Sequence, residues 1–209
     1  MGQSRACTHC ARRGSLGVVH RGLAPRLPAF RALHPQIDLQ VLVGTRQRDL
    51  SRGEAELAIQ SPRPRQSALV SVRLARTSTG LYAARSLVGS TRLWVDDANS
   101  LRGLPLLVYT APFQMLQQAK WFQPVLTSSR VVLETNSSHT LLAAARAGIG
   151  VAVLARFLAR GHEDLVAVSA DVAENDVWLI THPEFRRDPK VRATSDFLKK
   201  IASEPDALN

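Results

Sequence analysis

Residues 130–154 read RVVLETNSSHTLLAAARAGIGVAVL. Val131, Val132 and Leu133 form an apolar run, rich in β-branched residues and short enough for a buried strand. Asn136, Ser137 and Ser138 follow, each a residue type that caps a helix by accepting a backbone N–H bond. Thr140 to Ala147 then reads as a helix of small and leucine side chains. Gly148 ends it, as glycine does where the chain must turn left-handed. Gly150 to Leu154 reads as a second buried strand. A strand–helix–strand unit predicts parallel strands and a right-handed crossover. Its polar cluster sits where the first strand ends and the helix begins, the place where open α/β sheets bind ligands. A helix N-terminus there offers N–H groups and partial positive charge to an anion.

The flanking chain repeats the pattern. Ser15 to Val19 reads as a short first strand. Leu23, Leu27, Phe30 and Leu33 share one helical face, with Pro25 tolerable in a first turn and Pro28 threatening an early break. His34-Pro35 ends that helix. Ile37 to Val43 alternates like a strand, Gln47 to Gly53 reads as a short helix, and Glu56 to Gln60 as a buried strand. The prolines of Ser61 to Gln66 mark a loop. Leu69 to Tyr82 holds two β-like runs, and Arg85 to Asp97 is less regular. Leu106 to Tyr109 is a strand that ends in a polar loop, Thr110-Ala111-Pro112, and Met115 to Phe122 reads as a helix or a lid-like segment. Leu165 to Ser169 and Asp176 to Thr181 read as strands. Pro189 to Ala202 reads as a helix with Val191, Phe197, Leu198 and Ile201 on its apolar side. The expected organisation is a disordered leader (1–13), a discontinuous first lobe (14–84 and 182–204), a second lobe with crossover strands (85–181) and a tail (205–209).

Composition narrows the class. The 209 residues are 45% hydrophobic, as in a soluble globular protein. No apolar run approaches the roughly 18 residues of a membrane span, and the N-terminus lacks a secretory pattern. A cytoplasmic location with no membrane partner is therefore expected. The net charge is +10, with basic residues spread along the chain as solvated faces. The start is denser: Arg5, Arg12, Arg13, Arg21, Arg26 and Arg31 all precede the first acid, Asp38. Such a cluster suits either an anionic partner or a disordered tail. Cys7 and Cys10 are spaced C-T-H-C. Zinc sites use four ligands and no second pair is present, while a redox C-x-x-C belongs between a strand and a helix. Two free thiols in a leader remain the reading, with no metal and no cofactor expected.

At this point several stretches resemble the effector-binding domain of LysR-type transcriptional regulators, over about residues 14–204. GSLGVV followed by LAPRLPAFRALHPQIDLQVLVG is similar to that family's opening strand, its helix ending in F-x-x-x-x-P, and its second strand. DLSRGEAELAIQ resembles the family's L…G…DLAIR, and SLRGLPLLVY its DL…PLI. SSHTLLAAARAGIGVAVL resembles LLALVAAGLGIALLP, the most specific of the set. VWLITHPEFRRDPKVRATSDFLKK resembles the closing strand and helix. The resemblance implies an α/β fold of two Rossmann-like lobes around a cleft, like the type II periplasmic binding proteins. It implies a small-molecule effector such as an organic acid or an aromatic compound, and pairing into a homodimer. The family's winged helix-turn-helix is not seen in this chain, and residues 1–13 cannot supply one, so no sequence-specific DNA binding by this chain alone is expected. It reads as a truncated form or a free-standing effector domain. Glu56 and Gln60 replace the family's Asp and Arg, which argues against a strongly anionic ligand.

The candidate ligand-binding residues are Thr45, Gln60, Thr110, Asn136, Ser137 and Ser138, with His20 and Tyr109 as weaker candidates. Asn136 to Ser138 match the family's ligand-side helix start; the bland alternative is simple capping. Thr110 and Thr45 follow strands in the second and first lobe, and the bland alternative is a turn residue. Gln60 offers two donors and an acceptor. Tyr109 and Phe113 suit an apolar wall or plain core, and His139 and His182 read as surface histidines. No catalytic residue is assigned. Ser137 and His139 are two apart and point to different sides, and no G-x-S-x-G, H-E-x-x-H or phosphate-loop pattern is present. The expectation is a metabolite-sensing regulatory domain rather than an enzyme. The alternatives are a solute-binding protein of the same fold and a module that sequesters full-length regulators.

Overall fold

The computed structural model describes residues 5–6, 8–9, 18–43, 49–89, 93–110 and 120–204. The strands are β1 (Arg5–Ala6), β2 (Thr8–His9), β3 (Asp38–Leu39), β4 (Leu57–Gln60), β5 (Val70–Ala84), β6 (Pro105–Tyr109), β7 (Arg130–Thr135), β8 (Val151–Ala155) and β9 (Leu165–Thr181). The α-helices are α1 (Leu27–Leu33), α2 (Arg85–Val88), α3 (Ser138–Arg146), α4 (Arg156–Ala159) and α5 (Pro189–Ser203). The chain divides into two compact units. Unit 1 comprises Met1–Arg76 and Asn175–Asn209, and unit 2 comprises Thr77–Glu174. The chain leaves one unit for the other in mid-strand, within β5 and again within β9. The lobe boundaries expected from sequence fall at the ends of these same two strands, Ala84 and Thr181.

In unit 1, β4 pairs antiparallel with β9, from Leu57↔Thr181 to Gln60↔Trp178. β1 runs parallel to β3, and β2 parallel to β4. These first two strands lie within the stretch expected to be a leader. The first strand expected at 15–19 is not found there: Val18–Leu23 is a π-helical turn, and residues 15–17 lie outside the described ones. The apolar run of that segment misled the reading, because small and polar residues such as Thr8 carry no hydrophobic alternation yet still offer backbone N–H and C=O groups to a parallel neighbour. Pro25 and Pro28 act as anticipated. A 3-10 turn over Ala24–Arg26 precedes α1, and each proline occupies one of the first two positions of its helix, where no N–H is needed. Phe30 of α1 is buried, with its ring centroid 4.9 Å from that of Phe197 on α5. α5 starts on Asp188, whose side chain accepts bonds from Lys190 N at 2.8 Å and Val191 N at 3.4 Å. It buries Val191, Phe197, Leu198 and Ile201, the face its periodicity predicts. The expected helix over 47–53 is a 3-10 turn, Leu50–Arg52, capped by Asp49.

In unit 2 the strand order is β9-β5-β8-β6-β7. β5 and β8 are antiparallel, whereas β6 is parallel to both β7 and β8. The strand–helix–strand reading of residues 130–154 therefore holds for direction; β6 lies between β7 and β8, and α3 carries the chain past it. Alternate residues of the inner strands face opposite layers. Leu106, Val151 and Val153 join a cluster with Leu101, Phe122 and Val125. Leu107, Ala152 and Leu154 face the other way, against Leu141, Leu142 and Ala145 of α3. Burial on both faces explains why these strands read as continuous apolar runs. The two runs expected in 69–82, and the two in 165–181, are each one continuous strand. Polar residues such as Thr77, Asp171 and Asn175 hid that continuity; the Thr79 hydroxyl spans from β5 to β9, donating to Ala173 O at 3.1 Å.

The turn between α3 and β8 is tight. A Cβ on Gly150 would lie 2.6 Å from Pro105 O and 3.2 Å from Leu107 Cδ2, too close for any side chain. Gly150→Ala should therefore lower the stability by about 1–3 kcal/mol through overpacking. Urea unfolding followed by circular dichroism measures this, and an unchanged midpoint would show that the close approach is absent.

Candidate ligand-binding site

β6 and β7 end side by side, with Tyr109 opposite Thr135. Thr110 N donates to Thr135 O at 3.0 Å and so prolongs the pairing by one bond. The chain then turns into α3. Ser137 N donates to the Thr135 hydroxyl oxygen at 3.1 Å, and Ser137 Oγ accepts from Thr140 N at 3.2 Å. Ser137 is thus the N-cap, extended at φ −111° and ψ 117°. Asn136 is exposed, Ser137 half-buried and Ser138 buried. Tyr109, Thr110, Asn136, Ser137 and Ser138 are brought together at one end of the parallel strands. Thr135 joins them. Sequence reading passed over it as the last residue of a strand, and only its position beside a cap-type cluster could have singled it out.

Electrostatics at this end favour an electron-rich partner. α3 has no acidic residue in its first turn to cancel the positive end of its peptide dipoles. Its one paired cation is at the far end, where Arg146 Nε donates to Asp164 Oδ2 at 2.8 Å and holds that carboxyl below its usual range. Burial pushes the Tyr109 phenol well above its ordinary value, so it stays protonated. Hydroxyls and first-turn amides can hold a polar group by hydrogen bonds. They supply no nucleophile with a base, since the Ser137 hydroxyl already serves the helix cap.

The remaining candidates lie elsewhere. Gln60 is buried at the end of β4 in unit 1, with Nε2 donating to Pro62 O at 3.1 Å. Thr45, Cys7, Cys10 and Phe113 lie outside the described residues, as does most of the segment 115–122. His20 lies in the turn Val18–Leu23, and its side chain is outside the described set. His182 accepts a bond from Glu184 N at 3.5 Å and caps the 3-10 turn Pro183–Arg187. Among the described residues no group of three or more His, Cys, Asp or Glu could hold a metal ion.

Tyr109 also gives a pH test. Below about pH 10 a tyrosine is protonated in both folded and unfolded chains. Above it the unfolded residue ionises while the buried one resists, so stability falls as pH rises past about 10. Tyr109→Phe should reduce that alkaline loss without abolishing it, because burial also raises the pKa of Tyr82. Thermal midpoints measured between about pH 8 and pH 11 test this; an identical alkaline slope in the variant would contradict it.

Comparison with known proteins places this geometry. The family model for the LysR substrate binding domain matches residues 15–203. The Mau operon transcriptional activator of Paracoccus denitrificans is 24% identical over 192 residues, which cover 90% of this chain and 62% of that protein. An uncharacterized HTH-type transcriptional regulator of Haemophilus influenzae is 28% identical over 145 residues, 65% of this chain and 48% of that protein. The chain thus spans less than two thirds of the length of either relative. Among solved structures, the regulatory domain of CrgA, a LysR-type transcriptional regulator from Neisseria meningitidis, superposes with a TM-score of 0.78 at 16% identity, covering 95% of this chain and 98% of that one. The CcmR regulatory domain of Synechocystis PCC6803, solved in complex with 2-PG, gives 0.73 at 15% identity, covering 96% and 98%. The fold is the periplasmic-binding-protein-like α/β fold of these domains, which belong to transcriptional regulators and not to enzymes. With nine-tenths of its length matched by the family model, the chain belongs to the LysR substrate-binding-domain family.

Proposed function

We propose that this chain senses a small-molecule effector for a LysR-type transcriptional regulator. One observation carries the reading: Thr110, Thr135 and the capped start of α3 converge at the C-terminal ends of β6 and β7. In this reading the effector is held by Thr110 and Asn136 to Ser138, with Tyr109 as an apolar wall. Thr45, Gln60 and His20 are further contacts in this reading, from a first lobe of residues 14–84 and 182–204, with residues 85–181 as the second lobe. The regulatory domain of CcmR, which shares the fold, was solved with a ligand, 2-PG. Gln60, neutral where the family carries an arginine, suits an organic acid of low charge or an aromatic compound. The module works in the cytoplasm as a homodimer; among the described residues no helix is long and apolar enough to cross a membrane. Effector binding acts by favouring the conformer that binds it better.

A thermal-shift screen of small organic acids and aromatic compounds tests this. A ligand at a hundred times its Kd should stabilise the protein by about 2.7 kcal/mol. Thr110→Ala combined with Ser137→Ala should weaken a hit by about tenfold, at about 0.5–1.5 kcal/mol per hydrogen bond. Ser137→Ala alone also lowers stability by about 1 kcal/mol without ligand, through the lost cap. If no compound stabilises the parent, or the double variant binds a hit equally well, the reading fails.

A further inference from the structure

Unit 1 contains a cavity of about 560 Å³. All of its lining residues belong to that unit. Leu57 and Thr181, which line it, pair at the start of β4, whereas Gln60 lies at the other end of the same strand. Three residues of strand put about 10 Å between the two ends. The cavity is therefore separate from the edge where Gln60 sits, and none of its residues belongs to the cluster in unit 2.

Its walls have two chemistries. Val70, Val72 and Val191 supply apolar surface, and Val72 is left 43% exposed. Arg186 and Arg187, from the turn Pro183–Arg187, and Arg192, from the first turn of α5, supply the rim. The only carboxylate among the described lining residues, Asp196, is paired with Lys199 at 3.0 Å. None of the three guanidinium groups has an ion-pair partner among the described residues. That sets them apart from Arg26, Arg31, Arg146 and Arg156, each of which holds a carboxylate. Three unneutralised like charges around one concavity repel each other and raise the local positive potential. An anion would relieve that repulsion, and guanidinium forks match the oxygens of a carboxylate, sulfonate or phosphate. The valines require that the rest of the ligand be apolar. A concavity of this volume lies within the range of small-molecule pockets, about 300–1,000 Å³, and is the wrong shape for the broad convex face of a duplex.

We propose that unit 1 carries a second ligand site, distinct from the proposed effector site, which takes a small amphipathic organic anion with its charged group on Arg186, Arg187 and Arg192 and its apolar body on Val70, Val72 and Val191. The probe is 8-anilinonaphthalene-1-sulfonate, an aromatic anion whose fluorescence rises in apolar surroundings, titrated into the intact chain. One saturable site is expected, weakening with added salt. Arg187→Gln with Arg192→Gln should weaken binding by at least about tenfold, while the double lysine variant keeps most of it. Val72→Asp, which sets a carboxylate on the apolar wall, should abolish it, and Arg102→Gln, at an exposed arginine of unit 2, should leave it unchanged. Urea midpoints equal to the parent's establish that the exposed arginine variants remain folded; if one shifts, Val72→Asp decides. Equal affinity in the glutamine and Val72→Asp variants overturns the proposal. So does equal binding of the uncharged N-phenyl-1-naphthylamine, or displacement of the probe by a mixed-sequence DNA duplex that depends on the same arginines.

Discussion

The hydrogen bonding of β6 to a parallel strand on each side is the constraint on which unit 2 depends. Parallel neighbours cannot be joined by a tight turn, so the chain must cross over a face of the sheet. α3 is that crossover for β7 and β8, and its Leu141, Leu142 and Ala145 seal the face it crosses. Two consequences follow without further assumption. The C-terminal ends of β6 and β7 fall together, and the first turn of α3 opens beside them. Thr110, Thr135 and the cap at Ser137 therefore meet because of strand direction, not because they are close in sequence. The same geometry presses Gly150 against Pro105 as the chain enters β8.

Unit 1 is closed by α5, whose residues return to it at the far end of β9. Two contacts tie α5 to the start of the unit. Phe197 meets Phe30, and Glu204 meets Arg26 across 178 residues of chain. The ion pair is partly exposed and contributes about 1 kcal/mol or less. Deleting either buried ring would cost about 3–5 kcal/mol. The aromatic contact therefore governs the packing, and the ion pair adds to its alignment. The same helix presents Arg192 to the cavity of unit 1, so one element both completes the core and builds part of a charged rim.

A net charge of +10 says little about where positive charge is available. Two members of the dense N-terminal arginine set, Arg26 and Arg31, are engaged within the fold with Glu204 and Asp38. Arg73 and Arg76 share Asp176, and Arg156 holds Asp171 with bonds of 2.7 and 2.8 Å. What distinguishes one basic surface from another is the carboxylates placed beside it. By that measure the rim of Arg186, Arg187 and Arg192 stands out, in a stretch, residues 186–192, that holds four basic residues in seven.

Period, breakers and caps were legible in the sequence. They placed α3 and α5 to within two residues, the apolar face of α5 and the strand β4. They also reduced the cap of α3 to three adjacent residues, of which Ser137 takes the part. These features are local: a helix repeats every 3.6 residues, a proline lacks an N–H, and a serine caps its own first turn. The sequence did not show that β6 lies between β7 and β8, that Arg5–Ala6 and Thr8–His9 pair as strands, or that β5 and β9 run unbroken past their polar residues. Nor did it show that Thr135 bonds into the turn beside Thr110, or that three arginines lack counter-charges. Those depend on which backbone edges and side chains meet across tens of residues, and a buried apolar strand pairs equally well with several neighbours. Only the folded chain, satisfying all of its hydrogen bonds and charges at once, selects among them.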